Sequence, residues 1–173
     1  MAKPVVQEIL SGNVRLRVLT AKDLSLTLTW RNQAVIRRWF IYSEPITQEQ
    51  HEDWYAKYCQ RDNDLVFIIE EVGDLNRPVG QVSLYDIDEE TGRAEFGRLM
   101  IGDEEARGRG LAKKATMLIL DFGFKACSLE EIYLEVFEDN QAAIHIYQQL
   151  GFVCVGRREK LLKMALHNPY LSK

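Results

Sequence analysis

From Val14 to Leu19 the chain alternates Val, Arg, Leu, Arg, Val, Leu, the two-residue period of a strand with one wet face. Thr20-Ala21-Lys22-Asp23 follows, where a threonine hydroxyl and an acid three residues on can each satisfy a free N–H at a helix start. A helix is predicted from there to about Asn32, with a second short one over Ala34 to Phe40. Pro45 interrupts the chain, and Thr47-Gln48-Glu49-Gln50 caps a helix running to about Gln60, with Trp54, Tyr55 and Tyr58 on one face. Two apolar, β-branched runs, Leu65 to Val72 and Pro78 to Ile87, flank a Gly-Asp-Leu-Asn-Arg turn and read as a hairpin. A second turn at Asp88 to Gly92 leads into a third strand, Arg93 to Ile101. Beyond it lie an amphipathic helix (Gly110 to Lys125) and a buried strand (Ile132 to Phe137). A helix capped by Asp139 or Asn140 and stopped by Gly151 comes next, then two last strands, Phe152 to Gly156 and Leu161 to Leu166. Residues 1–12 carry no such pattern and are expected to be loosely held.

The 173 residues suit one domain with a sizeable core, and no linker or repeat divides residues 1–173. A net charge of −4 argues against a general nucleic-acid binder. No apolar run approaches the ~18 residues of a membrane span, and no signal-peptide pattern opens the sequence. Cys59, Cys127 and Cys154 are odd in number and far apart, and His51, His145 and His167 are isolated. A cytoplasmic protein with no metal, no membrane partner and no nucleic-acid partner is expected. Nothing here fixes the oligomeric state, and a homo-oligomer is compatible with the pattern.

Between the third strand and the amphipathic helix stands Arg107-Gly108-Arg109-Gly110-Leu111-Ala112-Lys113-Lys114. The first N–H groups of a helix lack partners and carry partial positive charge, so strand, glycine-containing basic turn and helix together suit an anion. Gly108 and Gly110 admit close approach, and Arg107, Arg109, Lys113 and Lys114 add full charges. A solvated basic turn fits the same residues. The turn lacks both G-x-x-x-x-G-K-[ST] and the third glycine of G-x-G-x-x-G.

What it holds is R-x-x-G-x-A, which resembles the acyl-coenzyme A loop of the GCN5-related N-acetyltransferases. The segment Asn140 to Phe152 reads N-x-x-A-x-x-x-Y-x-x-x-G-F and is similar to the closing motif of the same family, in the same order along the chain. The resemblance covers roughly Val14 to Gly156. It implies an α+β fold: a mixed, largely antiparallel central sheet flanked by helices, with a splayed strand pair, Ala94–Ile101 and Ile132–Phe137, holding acetyl-CoA. By position, backbone groups of Met100 and Ile101 would pair with the pantetheine amides. Amides of Arg107, Gly108, Arg109, Gly110, Leu111 and Ala112 would hold the pyrophosphate, and Asn140 would lie near the pantetheine arm. Gly102 to Ala106 is about two residues longer than the usual family link, lacks its proline, and brings acids beside the phosphate site.

Acetyl transfer to an amine needs the amine deprotonated, a donor for the developing oxyanion, and a proton or hydrogen bond for the leaving thiolate. The resemblance assigns the last role to Tyr147. With tyrosine near ~10 and a thiol near ~8.5, full proton transfer would be uphill by about 2 kcal/mol, so a hydrogen bond to sulfur is the expected form. Spacing alone would make Tyr147 core, since Ala143, Ile146, Tyr147 and Leu150 form one apolar stripe. Glu95 is the candidate general base; if Phe96 faces the core, alternation puts Glu95 on the opposite face, where a solvated strand carboxylate accounts for it equally well. Trp30-Arg31-Asn32 is similar to relatives that acetylate a nucleotide-linked amino sugar, so these three are the candidate substrate residues; core aromatics with surface arginines account for them equally well. Arg93-Ala94-Glu95-Phe96 and the helix after Asn140 also look like spermidine/spermine acetyltransferases, and the protein N-terminal acetyltransferases share the scaffold. A non-catalytic acyl-CoA sensor is the remaining alternative.

Overall fold

The structure, a computed structural model, describes residues 3–171. Its centre is one eight-stranded sheet in the order β1-β2-β3-β4-β5-β6-β8-β7. The strands are β1 (Ile9–Ser11), β2 (Val14–Val18), β3 (Asp64–Glu71), β4 (Arg77–Asp88), β5 (Arg93–Ile101), β6 (Glu131–Phe137), β7 (Val153–Arg158) and β8 (Leu161–His167). Every neighbouring pair is antiparallel except β5 with β6. The helices are α1 (Leu24–Arg31), α2 (Ala34–Arg37), α3 (Gln48–Cys59), α4 (Leu111–Asp121) and α5 (Gln141–Gln149). None is long and apolar enough to cross a membrane, among the described residues.

Alternation along the strands divides the core. Phe67, Leu84, Phe96, Ile132 and Leu134 share one cluster with Leu111, Ala115 and Ile119 of α4 and with Ile144 and Tyr147 of α5. Val66 and Ile68, one residue out of phase on β3, pack with Leu19 and with Tyr58 of α3. The cap before α1 forms as its sequence suggests: the Thr20 N–H and hydroxyl both donate to the Asp23 carboxylate, at 2.9 and 3.1 Å. Arg17 grips the same carboxylate through two nitrogens, each at 2.8 Å.

Two expectations are corrected. The N-terminal stretch is held, not loose: Ile9–Ser11 adds an edge strand to β2. Lys3 also donates to the carbonyls of Arg61 and Asp64 and lies 3.5 Å over the Tyr58 ring. Met1 and Ala2 lie outside the described residues. The second helix ends at Arg37 rather than Phe40, and the chain turns there so that Trp39 and Phe40 face a cleft.

Candidate active site

β5 and β6 pair over only three positions, Arg93 with Glu131, Ala94 with Ile132 and Glu95 with Tyr133, and then part. A bulge accompanies the parting. On β4, Gln81 faces Met100 and Ser83 faces Gly97, so Val82 stands opposite the two residues Arg98 and Leu99. Arg98 takes a left-handed backbone (φ 51°), a conformation that costs a residue with a Cβ about 1–2 kcal/mol. Its side chain offsets that cost through a bidentate bond to the nearly buried Asp64, at 2.7 and 3.2 Å, and it lies 4.2 Å from the Tyr85 ring. The gap so formed is a cleft of about 500 Å³. Met100, Ile101 and Leu134 line it, with Asn140 and Tyr147 of the α5 segment and Phe40 after α2.

At one end of the cleft the chain runs from Arg107 into α4. Gly108 and Gly110 both have φ 75°, and an added Cβ at either would meet open space. Among the described residues, the N–H groups of Gly108 to Lys113 donate to no group of the chain. Six adjacent unpaired donors at a helix start, beside open space, form a preorganised anion cradle.

The arginine side chains depart from expectation. Arg107 does not reach into the cradle: it donates to the Ile101 carbonyl (3.0 Å) and to Gln33 (2.7 Å). Arg109 turns to the Glu105 carbonyl (2.8 Å) and to Asp74 (2.7 Å). Lys113 reaches Gln149 and Lys114 reaches Asn13, both on the exposed side. The cradle is therefore main chain. The extra residues of the link coil into a short turn, Glu104–Ala106, and two of its acids are drawn away: Asp103 at 2.6 Å and Glu105 at 3.1 Å both bond Arg77. The Ile101 carbonyl, expected to be open for pairing, is occupied by Arg107.

Asn140 caps α5, its side chain accepting from the Ala143 N–H at 3.4 Å, and it lines the cleft. Tyr147 also lines it, 7% exposed, edge-on to Phe96 and Phe152 at 5.8 Å each. Burial pushes its phenol above the ordinary tyrosine range, which makes it a hydrogen-bond donor rather than an acid. Glu95 does stand opposite the buried Ala94 and Phe96, at the root of the splay rather than in the cleft lining. Burial raises its pKa, the charges of Glu135 and Asp86 raise it further, and a hydrogen bond from Tyr85 and the charge of Arg98 oppose them without cancelling the rise.

The three candidate substrate residues part company. Trp30 is 4% exposed and is not among the residues lining the cleft; its ring lies against Gly102, where an added Cβ would come within 1.9 Å. Asn32 is a brace, its amide donating to and its oxygen accepting from the Ile46 backbone, both at 2.8 Å. Arg31 alone faces a cavity, a second one of about 390 Å³ between α1 and α3. That cavity shares Phe40, Arg98 and Met100 with the cleft, so the two adjoin. Sequence reasoning missed the second cavity and the bulge; Gly97, a lone glycine inside the strand beside Arg98, was the available signal for the bulge, whereas the cavity's walls come from residues 27 to 100.

A family model described as "Acetyltransferase (GNAT) domain" matches residues 13–153. The chain belongs to the GNAT acetyltransferase family. It is 36% identical over 146 residues to the spermidine N(1)-acetyltransferase of Escherichia coli (strain K12), covering 83% of this chain and 75% of that one. Among solved structures, spermidine N-acetyltransferase from Vibrio cholerae in complex with CoA and spermine superposes with a TM-score of 0.81 at 26% identity, covering 90% of this chain and 96% of that one. A domain from Methanocaldococcus jannaschii gives a TM-score of 0.78 at 26% identity, covering 89% and 97%. The chain is an N-acetyltransferase that uses acetyl-CoA. Its own residues fit that cofactor: an apolar cleft for a thin arm, and unpaired amides where a pyrophosphate would need them.

Proposed function

We propose that this GNAT enzyme acetylates the primary amine of a small molecule that enters through the cavity between α1 and α3. The observation that carries this is the adjacency of the two cavities at Phe40, Arg98 and Met100. A cofactor in the cleft and an acceptor in the second cavity would meet there, with Glu95 and Tyr147 on either side of the strand that forms the wall. When bound, acetyl-CoA supplies the thioester that the amine attacks. The amides of Gly108 to Lys113 hold the anionic end, with the main chain of Met100 and Ile101 beside the arm. Glu95, with its raised pKa, takes the ammonium proton directly or through water. Tyr147 donates a hydrogen bond to the departing sulfur. Arg107 must release the Ile101 carbonyl if that group is to pair with the cofactor.

A polyamine acceptor is the second reading. The spermidine acetyltransferases among the relatives favour it, and so do Asp86 and Glu135, whose charges act on Glu95. The test is consumption of acetyl-CoA with a panel of amines: spermidine, amino sugars free and nucleotide-linked, and peptides with free N-termini. Turnover on at least one small amine is expected. Tight CoA binding without turnover on any of them would make the chain a binding module instead.

A further inference from the structure

The cavity between α1 and α3 is lined by no carboxylate among the described residues, yet two guanidiniums face it, those of Arg31 and Arg98. The charge of Arg98 is matched by Asp64 at 2.7 Å. That of Arg31 is not. Arg31 is 8% exposed, forms no ion pair among the described residues, and lies 3.8 Å over the Phe40 ring. Its Nη2 donates to the Tyr42 carbonyl at 2.6 Å, and its Nη1 is buried without any partner. Arginine stays protonated in proteins, so a full charge is held out of water with one donor unspent.

The neighbours deepen the imbalance. His51, bonded to the Thr27 hydroxyl at 2.9 Å, has its pKa lowered by burial and by the Arg31 charge, with the charge of Glu52 opposing them. Arg37 on α2 also has a buried Nε without a partner, and its Nη1 reaches only the Ser43 carbonyl at 3.3 Å. A buried cation facing a cavity that holds no acid is complementary to an anion, and a second cation there would meet uncompensated positive charge.

We infer that this cavity holds a carboxylate or phosphate carried by the amine substrate itself, with the Arg31 guanidinium as its countercharge. The inference rests on the N-acetyltransferase reading and names its acceptor class: an amine bearing an anionic group, in preference to a polyamine. The volume, about 390 Å³, is many times the ~30 Å³ share of one water and admits such a group with its linker.

The experiment is acetyl-transfer kinetics on four primary amines that differ in charge: propylamine, γ-aminobutyrate, aminoethyl phosphate and spermidine. The carboxylate or the phosphate amine is expected to exceed propylamine and spermidine in kcat/KM by ~10-fold or more, the preferred member identifying the anion. In Arg31→Met the KM for that amine is expected to rise ~10- to 100-fold, erasing the preference; Arg31→Lys should restore part of it. Spermidine or propylamine preferred by wild type, with the ranking unchanged in Arg31→Met, overturns the inference. A readout independent of turnover uses the CoA-saturated protein, in which the amide cradle is filled. Inorganic phosphate or acetate, against chloride at equal ionic strength, is expected to raise the melting temperature of wild type but not of Arg31→Met. No difference between the anions in wild type overturns the inference even if the variant does not fold. If CoA binds and the anion shift appears but no amine is turned over, the catalytic reading fails and the anion site stands.

Discussion

In the proposed mechanism Tyr147 and Glu95 divide the chemistry between them, and each can be changed with little effect on packing. The Tyr147 ring is wedged between Phe96 and Phe152, while its hydroxyl bonds to no group of the chain among the described residues. Tyr147→Phe is therefore expected to keep the melting temperature within a degree or two of wild type. Its kcat should fall about 10- to 100-fold, the worth of a hydrogen bond to a charged sulfur. For Glu95 the raised pKa sets the sign: the carboxyl stays protonated, and useless as a base, to a higher pH than an ordinary glutamate. The kcat/KM of wild type should climb with pH through that raised value, and Glu95→Gln should flatten this limb of the profile. An unaltered limb would remove Glu95 from the mechanism. Tyr147 was singled out because it sits inside the closing motif, and Glu95 because it alternates with Phe96 on a strand. The turned-away side chains of Arg107 and Arg109 were not legible, because Gln33 and Asp74, which capture them, lie 74 and 35 residues distant in sequence.

Elements fixed by a short local pattern emerged with their boundaries nearly intact; β5, Arg93–Ile101, is one, and the Thr47 cap of α3 is another, with the Gln50 N–H on its hydroxyl at 3.1 Å. β1 escaped notice because three residues, Ile-Leu-Ser, are too short to show a period, and only pairing with β2 makes them a strand. Two elements yield tests. Gly102, just past β5, touches the Trp30 ring so closely that a methyl group there must displace it. Gly102→Ala is expected to cost about 1–3 kcal/mol in urea unfolding and to weaken CoA binding, since the strand end moves. The cap before α1 is held by charge. Burial alone would raise the Asp23 pKa, but the bonds from Arg17 and Thr20 outweigh it and leave the value lowered. A lowered carboxylate stabilises the fold fully above its unfolded value of ~3.9, and that contribution disappears as pH falls through the folded value. Asp23→Asn should thus lose about 1–3 kcal/mol at neutral pH, with the gap to wild type closing under acid conditions.

For the molecule as a whole, the largely antiparallel sheet and the splay between β5 and β6 were implied by the family resemblance, while the strand order came only with the structure. The second cavity was not implied, because α1, α3 and the strands meet there only in the folded chain. The division has a physical basis: the amide cradle is built from main chain and glycines, which leave a local mark. The second cavity is built from side chains brought together across some seventy positions, from Thr27 to Met100. What unites the two is the wedge opened by the Arg98 bulge, lined with unpaired amides at one mouth and adjoining an acid-free cavity at the other. A crystal structure of the chain with acetyl-CoA tests this most directly. The expected result is a pyrophosphate within about 2.7–3.2 Å of the N–H groups of Gly108 to Lys113, with the arm between β5 and β6. Cofactor density elsewhere on the protein, with the wedge filled only by water, would contradict it.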